Sequence, residues 1–343
     1  MTEQAAHAEV APPRRSVVQR LASLWPWAKL VLGVTLLILL GWLVDWRRTI
    51  DMLLRSDPEL VLLSGVVLFL GIVVSTVKWS RLVRVVCAPV ELWPLLRAYW
   101  IGSFFNNYFP SSVGGDVVRV LALGSLAPKA PIAASVLVER LTGVAALALL
   151  AAICLGLHTP APIQLGIALW LLVAAIAGAI ALIWFGGARL PGMLARHGAR
   201  APRVVARVAN KLARVATDVA AYRQAPGELM VALVWSVVFY GSLVLFQFLV
   251  LRAIGSSIDL GEAAVVAPLV PLVSLLPVTA NGLGLAEGAF VLFYTQMGVP
   301  ADQAFAAALL RRLVSTVLSM PGGLLWLGKG HLRAAGPALG DST

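Results

Sequence analysis

Apolar residues along this chain come in runs long enough to cross a bilayer, and the polar ones collect at the ends of those runs. Ala28 to Val44, Leu60 to Val77, Pro131 to Leu157, Ile163 to Phe185, Glu228 to Leu251 and Asp302 to Leu327 are near-continuous hydrophobic stretches. A helix needs about 20 such residues to cross a hydrocarbon core of about 30 Å, so the pattern predicts six full transmembrane helices. Two further apolar runs are interrupted. The first starts at Trp93-Pro94 and stops at Phe109-Pro110. At roughly 1.5 Å per residue it reaches about 24 Å and falls short of a full crossing. Ser111 to Gly115 is predicted as a turn and Asp116 to Gly124 as a returning half-helix, with Lys129 on the entry side. In the second, Ala263 to Leu276 is broken by Pro268 and Pro271 and ends at Pro277. Gly282 and Gly284 then turn the chain, and Leu285 to Met297 returns it.

These elements predict an all-α polytopic membrane protein with about six full transmembrane helices and two re-entrant helical hairpins arranged as inverted repeats. The interrupted segments FFNNYFPSSVGGDVVR (104–119) and SLLPVTANGLGLAEG (274–288) offer proline, small polar residues, paired glycines and a carboxylate in the same order. Pro110 and Pro277 are 167 residues apart, Gly115 and Gly284 169, and both Asp116 to Glu287 and Arg140 to Arg311 are 171. Inverted halves with broken helices are the architecture in which secondary transporters place a midplane site. The expected organisation is a tail at 1–27, a first membrane half at 28–185, a basic amphipathic segment at 186–227, a second membrane half at 228–328 and a tail at 329–343.

Charge orients this plan. Of 27 Lys and Arg residues, 19 fall on the tails and loops that the plan places inside, four on outer loops and four within the membrane. That inside bias puts both termini in the cytoplasm and the protein in the cytoplasmic (inner) membrane. The first hairpin then enters from the cytoplasmic side and the second from the opposite side. Lys78, Arg81 and Arg84 are read as one helical face continuing into water. The run at Ala28 reads as an uncleaved span, because bulky and charged residues follow it where a small-x-small cleavage site would stand. Val204, Val205, Val208, Leu212, Val215 and Val219 alternate with Arg203, Arg207, Lys211 and Arg214 at helical spacing. Such a helix lies on a membrane surface or docks a partner.

Composition agrees: 60% hydrophobic residues, 13% charged and a mean hydropathy of +0.89 exclude a soluble domain. The net charge of +11 is accounted for by topology and not by a nucleic-acid surface, so no nucleic-acid partner is expected. Cys87 and Cys154 lie in apolar segments without partners at metal or redox spacing and read as small core residues. His7, His158, His197 and His331 fall in tails or loops.

The motifs NNYFPSSVGGDVVR, SVLVERL, PVTANGLGLAEG and ALLRRLV, in this order, resemble the flippase-like membrane domain family also found as the transmembrane region of lysylphosphatidylglycerol synthases. The resemblance covers nearly the whole chain. It implies a lipid-translocating or lipid-handling membrane protein in a stand-alone form, without the soluble aminoacyl-transferring domain and therefore without lysyl transfer.

The residues themselves supply candidate chemistry. Free N–H groups at the start of each returning half-helix form an anion site by dipole and donor geometry. Gly114, Gly115, Gly282 and Gly284 would let a headgroup approach that backbone. Asp116, Glu139 and Glu287 stand against Arg119, Arg140, Arg311 and Arg312, with Glu139-Arg140 and Arg311-Arg312 about 14 Å into their spans. Charge at that depth is costly. Three acids against four bases leave one positive charge over, which a phosphate would balance through bidentate arginine contacts. Asn106, Asn107 and Asn281 either satisfy broken backbone or face the headgroup. The alternative reading of the glycines is that they break helices, and of the ion pairs that they brace the hairpins against the long spans. No catalytic residue, metal ligand or cofactor is expected. The predicted activity is movement of an anionic phospholipid or polyprenyl-phosphate-linked lipid across the membrane. The alternative is a non-transporting subunit or scaffold for a lipid synthase or glycosyltransferase.

Overall fold

The structure, a computed structural model, describes residues 17–42, 44–109, 114–124, 126–157, 215, 217–276 and 278–328. Among these the chain is helical, without strands. The helices are α1 (Val17–Trp42), α2 (Trp46–Leu54), α3 (Pro58–Val86), α4 (Leu92–Tyr108), α5 (Gly114–Ala122), α6 (Lys129–Leu157), α7 (Pro226–Ala253), α8 (Leu260–Val266), α9 (Leu269–Ser274), α10 (Leu285–Gln296) and α11 (Ala301–Leu327). Short 3-10 turns occupy Tyr222–Gln224 and Ala280–Gly282.

Among the described residues, four helices are long and apolar enough to cross a membrane: α3, α6 over Lys129–Ile153, α7 and α11. They match four of the six predicted spans. The predicted span at Ile163 to Phe185, most of the basic segment at 186–227, residues 1–16 and the tail at 329–343 lie outside the described residues, while Val17 to Trp27 of the predicted first tail is helical and opens α1. The first predicted span corresponds to α1, which does not run on through Asp45-Trp46-Arg47-Arg48. Instead α2 begins there, bent by 96° from α1. Asp45 causes the new start, since its Oδ1 accepts from the Arg47 and Arg48 N–H groups at 2.9 and 3.3 Å. Large apolar residues stay exposed along the spans, among them Leu62, Val66 and Leu70 on α3 and Leu313, Val317 and Leu324 on α11. On an integral membrane protein that surface faces lipid tails.

Helix starts follow local chemistry. Asp57 caps α3 ahead of Pro58, and Asp259 and Glu262 form a reciprocal capping box at α8. The break between α8 and α9 falls at Ala267-Pro268. Pro271 has no N–H to return to the Ala267 carbonyl, and the buried Gln247 amide takes that oxygen at 3.1 Å.

The first interrupted segment folds back on itself. α4 and α5 are short, at 17 and 9 residues, and pack so closely that a Cβ on Gly115 would overlap the Gly102 carbonyl oxygen. In the second segment α9 packs on α10. The two halves interlock. α4 lies against α11, where Arg97, Trp100, Asn107 and Tyr108 donate to the carbonyls of Leu325, Leu318, Ser315 and Thr316 at 2.9, 2.7, 3.3 and 3.3 Å. Gly322 and Gly323 permit the approach, since side chains there would strike the Trp100 backbone and the Phe104 ring. Conversely, α1 packs on the second segment, Gly33 against Leu283 and Gly284 against the Gly33 carbonyl. α3 and α7 share the most extensive helix contact and bury the largest core cluster together with α8 to α11.

Candidate functional site

α5 is short but amphipathic, and its first turn places Asp116 and Arg119 on one side, one turn apart. Asp116 is held from α6 by Arg140, whose Nε and Nη2 donate to the two carboxylate oxygens at 2.9 and 3.0 Å. This is the side-on bidentate geometry that a guanidinium matches best. Arg119 adds a looser contact to Asp116 at 3.5 Å and a short bond from Nη2 to Glu139 Oε2 at 2.6 Å. Its guanidinium lies between the Trp79 and Tyr99 rings, 4.1 Å from each centroid. Desolvation there is offset by two cation–π contacts. Gly102 makes room for the Arg119 stem, which a Cβ at that position would strike.

Lys78 departs from its predicted place in water. It is 3% exposed, with Nζ 3.8 Å from Glu139 Oε1 and 3.2 Å from Ser236 Oγ on α7. Arg81 and Arg84, further along the same helix, are exposed as expected. Spacing puts the three on one side of α3, and only the packing of α6 and α7 against its last turns separates the buried one from the others.

The second cluster repeats the device. Gly284, at φ 72°, precedes α10, and Glu287 in the first turn reaches back to accept from the Gly284 N–H at 2.7 Å. Gly284 has no side chain to complete a capping box, so this bond alone caps the end. The other Glu287 oxygen takes Arg312 Nε at 2.5 Å, with Arg311 Nη2 at 3.7 Å. Glu287 is fully buried. In each half a carboxylate at the start of the returning helix therefore meets arginine 24 or 25 residues later on the next long helix.

The tips of the two segments touch: Asn281 Nδ2 donates to Asn107 Oδ1 at 3.5 Å. Asn281 adopts φ 48° and ψ 37°, a left-handed turn that asparagine tolerates. Asn107 also satisfies the Ser315 carbonyl. Its neighbour Asn106 takes the first of its two expected roles and satisfies broken backbone, accepting from the Gly115 N–H at 3.1 Å, so the protein itself fills one donor expected to face an anion. Gly115 turns its bare Cα to α4, and Gly284 turns its own to α1. Both glycines permit close helix packing. Gly282, at φ 67°, lies over Ser274, and Gly114 opens α5.

Lys78 changes the charge balance. Counted as ionised, the first cluster sets Asp116 and Glu139 against Lys78, Arg119 and Arg140, and the second sets Glu287 against Arg311 and Arg312. Each holds one cation more than it has carboxylates, where the sequence predicts a single excess over both. The accessible members are cations: the Arg140, Arg312 and Arg311 side chains are 46%, 24% and 20% exposed. Arg311 is the least satisfied arginine of the two clusters. Its guanidinium makes no hydrogen bond among the described residues, its Nε is buried without a partner, and Phe290 lies 5.8 Å away. Asp116 and Glu287 have separate arginine partners.

Comparison with known proteins agrees with this architecture. The chain is 24% identical over 306 residues to a UPF0104 membrane protein of Methanothermobacter thermautotrophicus, covering 83% of this chain and 90% of that one. A UPF0104 membrane protein of Methanocaldococcus jannaschii is 22% identical over 292 residues, 79% of this chain and 84% of its own. One from Pyrococcus horikoshii is 28% identical over 93 residues, covering 27% and 28%. No solved structure matches at a significant level. The family model described as the lysylphosphatidylglycerol synthase TM region matches residues 27–323, which take in both charge clusters and both interrupted segments, and the chain belongs to that family.

Proposed function

We propose that this protein moves an anionic lipid across the cytoplasmic membrane, its phosphate held between the two interrupted segments, which act as re-entrant hairpins entering from opposite sides. The observation that carries this reading is the unspent cation in each cluster, above all the Arg311 guanidinium. A buried charge pair that only braces a fold needs no surplus, whereas an excess positive charge at membrane depth is costly without an anion. Phosphate suits a guanidinium through paired N–H···O bonds.

Helix connectivity supports opposite entry. The Asp57 N–H donates to the Ala253 carbonyl at 2.9 Å, so the start of α3 and the end of α7 lie together. α3 then leads to α4 at its far end, while α7 leads to α8 at the near one. Given α3 as a span, the first segment starts on one side of the membrane and the second on the other. The two segments touch at Asn107 and Asn281, a contact through which a headgroup bound by one segment could pass to the other.

The test is flipping of a fluorescently labelled phosphatidylglycerol in proteoliposomes. Arg311→Gln should lower the rate by about tenfold or more, for loss of a charged hydrogen bond to the headgroup, with melting kept near wild type. Unchanged flipping in that variant, or no flipping of any phospholipid or polyprenyl phosphate by wild type while a lipid synthase or glycosyltransferase co-purifies, would move the reading to a scaffold.

A further inference from the structure

Three charged residues of the first cluster have no counterpart in the second. Lys78, Arg119 and Glu139 extend the Arg140–Asp116 pair into the core as a row of alternating charge: Arg140 to Asp116 at 2.9 Å, Asp116 to Arg119 at 3.5 Å, Arg119 to Glu139 at 2.6 Å and Glu139 to Lys78 at 3.8 Å. At the 171-residue offset that relates Asp116 to Glu287, Arg119 and Glu139 fall on Phe290 and Leu310, both buried core residues. α7, which precedes the second interrupted segment as α3 precedes the first, has no charged residue between Glu228 and Arg252. Apolar residues therefore brace that half, as well-packed hydrophobes in place of buried ion pairs commonly do. Bracing does not account for the three extra charges.

Lys78 is the member of the row able to change charge without stranding a neighbour. Arginine stays protonated, and each carboxylate accepts from a guanidinium, Asp116 from Arg140 and Glu139 from Arg119. Around Lys78, α6 presents Glu139 and Arg140, α5 presents Arg119 and, beyond it, Asp116, α7 the Ser236 and Tyr240 hydroxyls, and α4 Tyr99 against Arg119. Ser236 donates its own proton to the Ala232 carbonyl at 2.8 Å, so toward Lys78 it accepts, and a neutral amine donates to it as an ammonium does. Glu139 keeps Arg119 either way. A Cβ on Gly143 would stand at ordinary contact distances, 3.4 Å from Tyr240 Oη and 4.0 Å from Lys78 Nζ, so close packing does not seal Nζ on that side.

We infer that Lys78 is a proton-binding site linked to the lipid headgroup, taking up a proton when a lipid phosphate docks at Arg140, the accessible end of the row, and releasing it when the lipid leaves. With both bound, the row alternates from phosphate to ammonium and carries no surplus charge, so each favours the other by the same factor. The inference rests on the headgroup site proposed above.

The test is calorimetric titration of full-length protein in detergent with dihexanoyl phosphatidylglycerol, whose phosphodiester exchanges no proton near neutral pH, in two buffers of different ionisation enthalpy. Wild type should give a binding heat that differs between the buffers in the sense of proton uptake. Its affinity should fall as pH rises, by up to about tenfold per pH unit for a single linked proton. Lys78→Met should give the same heat in both buffers and the weaker affinity that wild type shows at high pH. Lys78→Arg, always charged, should also lose the buffer dependence but keep the tighter affinity of low pH. Binding by wild type with equal heat in both buffers overturns the inference and leaves the headgroup site standing. Proton uptake that persists in Lys78→Met, or in Lys78→Arg if the first variant does not fold, assigns the proton to a carboxylate and overturns it too. No binding of this lipid by wild type removes the headgroup site and the inference with it.

Discussion

Glu287 is the most heavily committed side chain in the protein: one oxygen closes the start of α10 on the Gly284 N–H, and the other faces two guanidinium groups. Removing its charge leaves Arg311 and Arg312 together without an anion. Glu287→Gln should therefore cost about 3–5 kcal/mol of stability, read as a lower thermal midpoint in detergent. Arg311→Gln belongs to a different class. Its ion pair is 3.7 Å long, and Glu287 keeps Arg312 and the Gly284 N–H when Arg311 is replaced, so its loss should cost much less stability than loss of Glu287 and show in flipping instead. Equal melting losses for the two variants would mean that Arg311 is a brace. Arg119 is held by ring stacking as well as charge, and Lys in its place keeps the charge but not the planar contact.

Some elements in this protein are joined by close backbone approach. α4 lies on α11 through Gly322 and Gly323 and through four side chains that donate to α11 carbonyls. Gly322→Leu should push α4 away and cost about 1–3 kcal/mol, the usual range for overpacking, with loss of flipping because Asn107 leaves Asn281. Retention of both melting and flipping would show that this contact is dispensable. Gly284 carries two constraints, a positive φ and the α1 backbone beside it, so Gly284→Ala should destabilise by more than the roughly 1–2 kcal/mol of a left-handed alanine.

Over the whole molecule the decisive quantity is sidedness. If each interrupted segment turns back inside the bilayer, the two flanks of a segment share one face of the membrane. Single cysteines at Trp93 and Lys129 should then react with an impermeant thiol reagent from the same side of oriented vesicles, and cysteines at Asp259 and Gly298 from the other. Labelling of Trp93 and Lys129 replacements from opposite sides would make α4 and α5 a crossing pair and end the inverted arrangement. α2 follows from the same frame: at 96° to α1 it lies along the surface if α1 crosses. Its exposed Trp46, Ile50 and Leu54, one turn apart, then meet lipid at the interface.

Hydrophobic run length alone located α3, α6, α7 and α11, because a bilayer demands continuous apolar helix and tolerates no alternative backbone. Proline and glycine located the broken segments for the same reason: each removes a backbone bond or frees a dihedral at a depth where the loss is conspicuous. The carboxylates and arginines of both clusters were legible as charges out of place. What the linear pattern does not contain is which cation meets which anion. Lys78, Arg81 and Arg84 share one side of α3, and burial of the first depends on Glu139 and Ser236 arriving from α6 and α7. In the same way Gly115 and Gly284 read as open backbone until Gly102 and Gly33 are set against them, and Asn106 keeps two readings, backbone partner or headgroup contact, until Gly115 comes within its reach. Helix existence is a local property of the chain in its solvent. Pairing is a property of helices separated by up to hundreds of residues, and packing alone decides it.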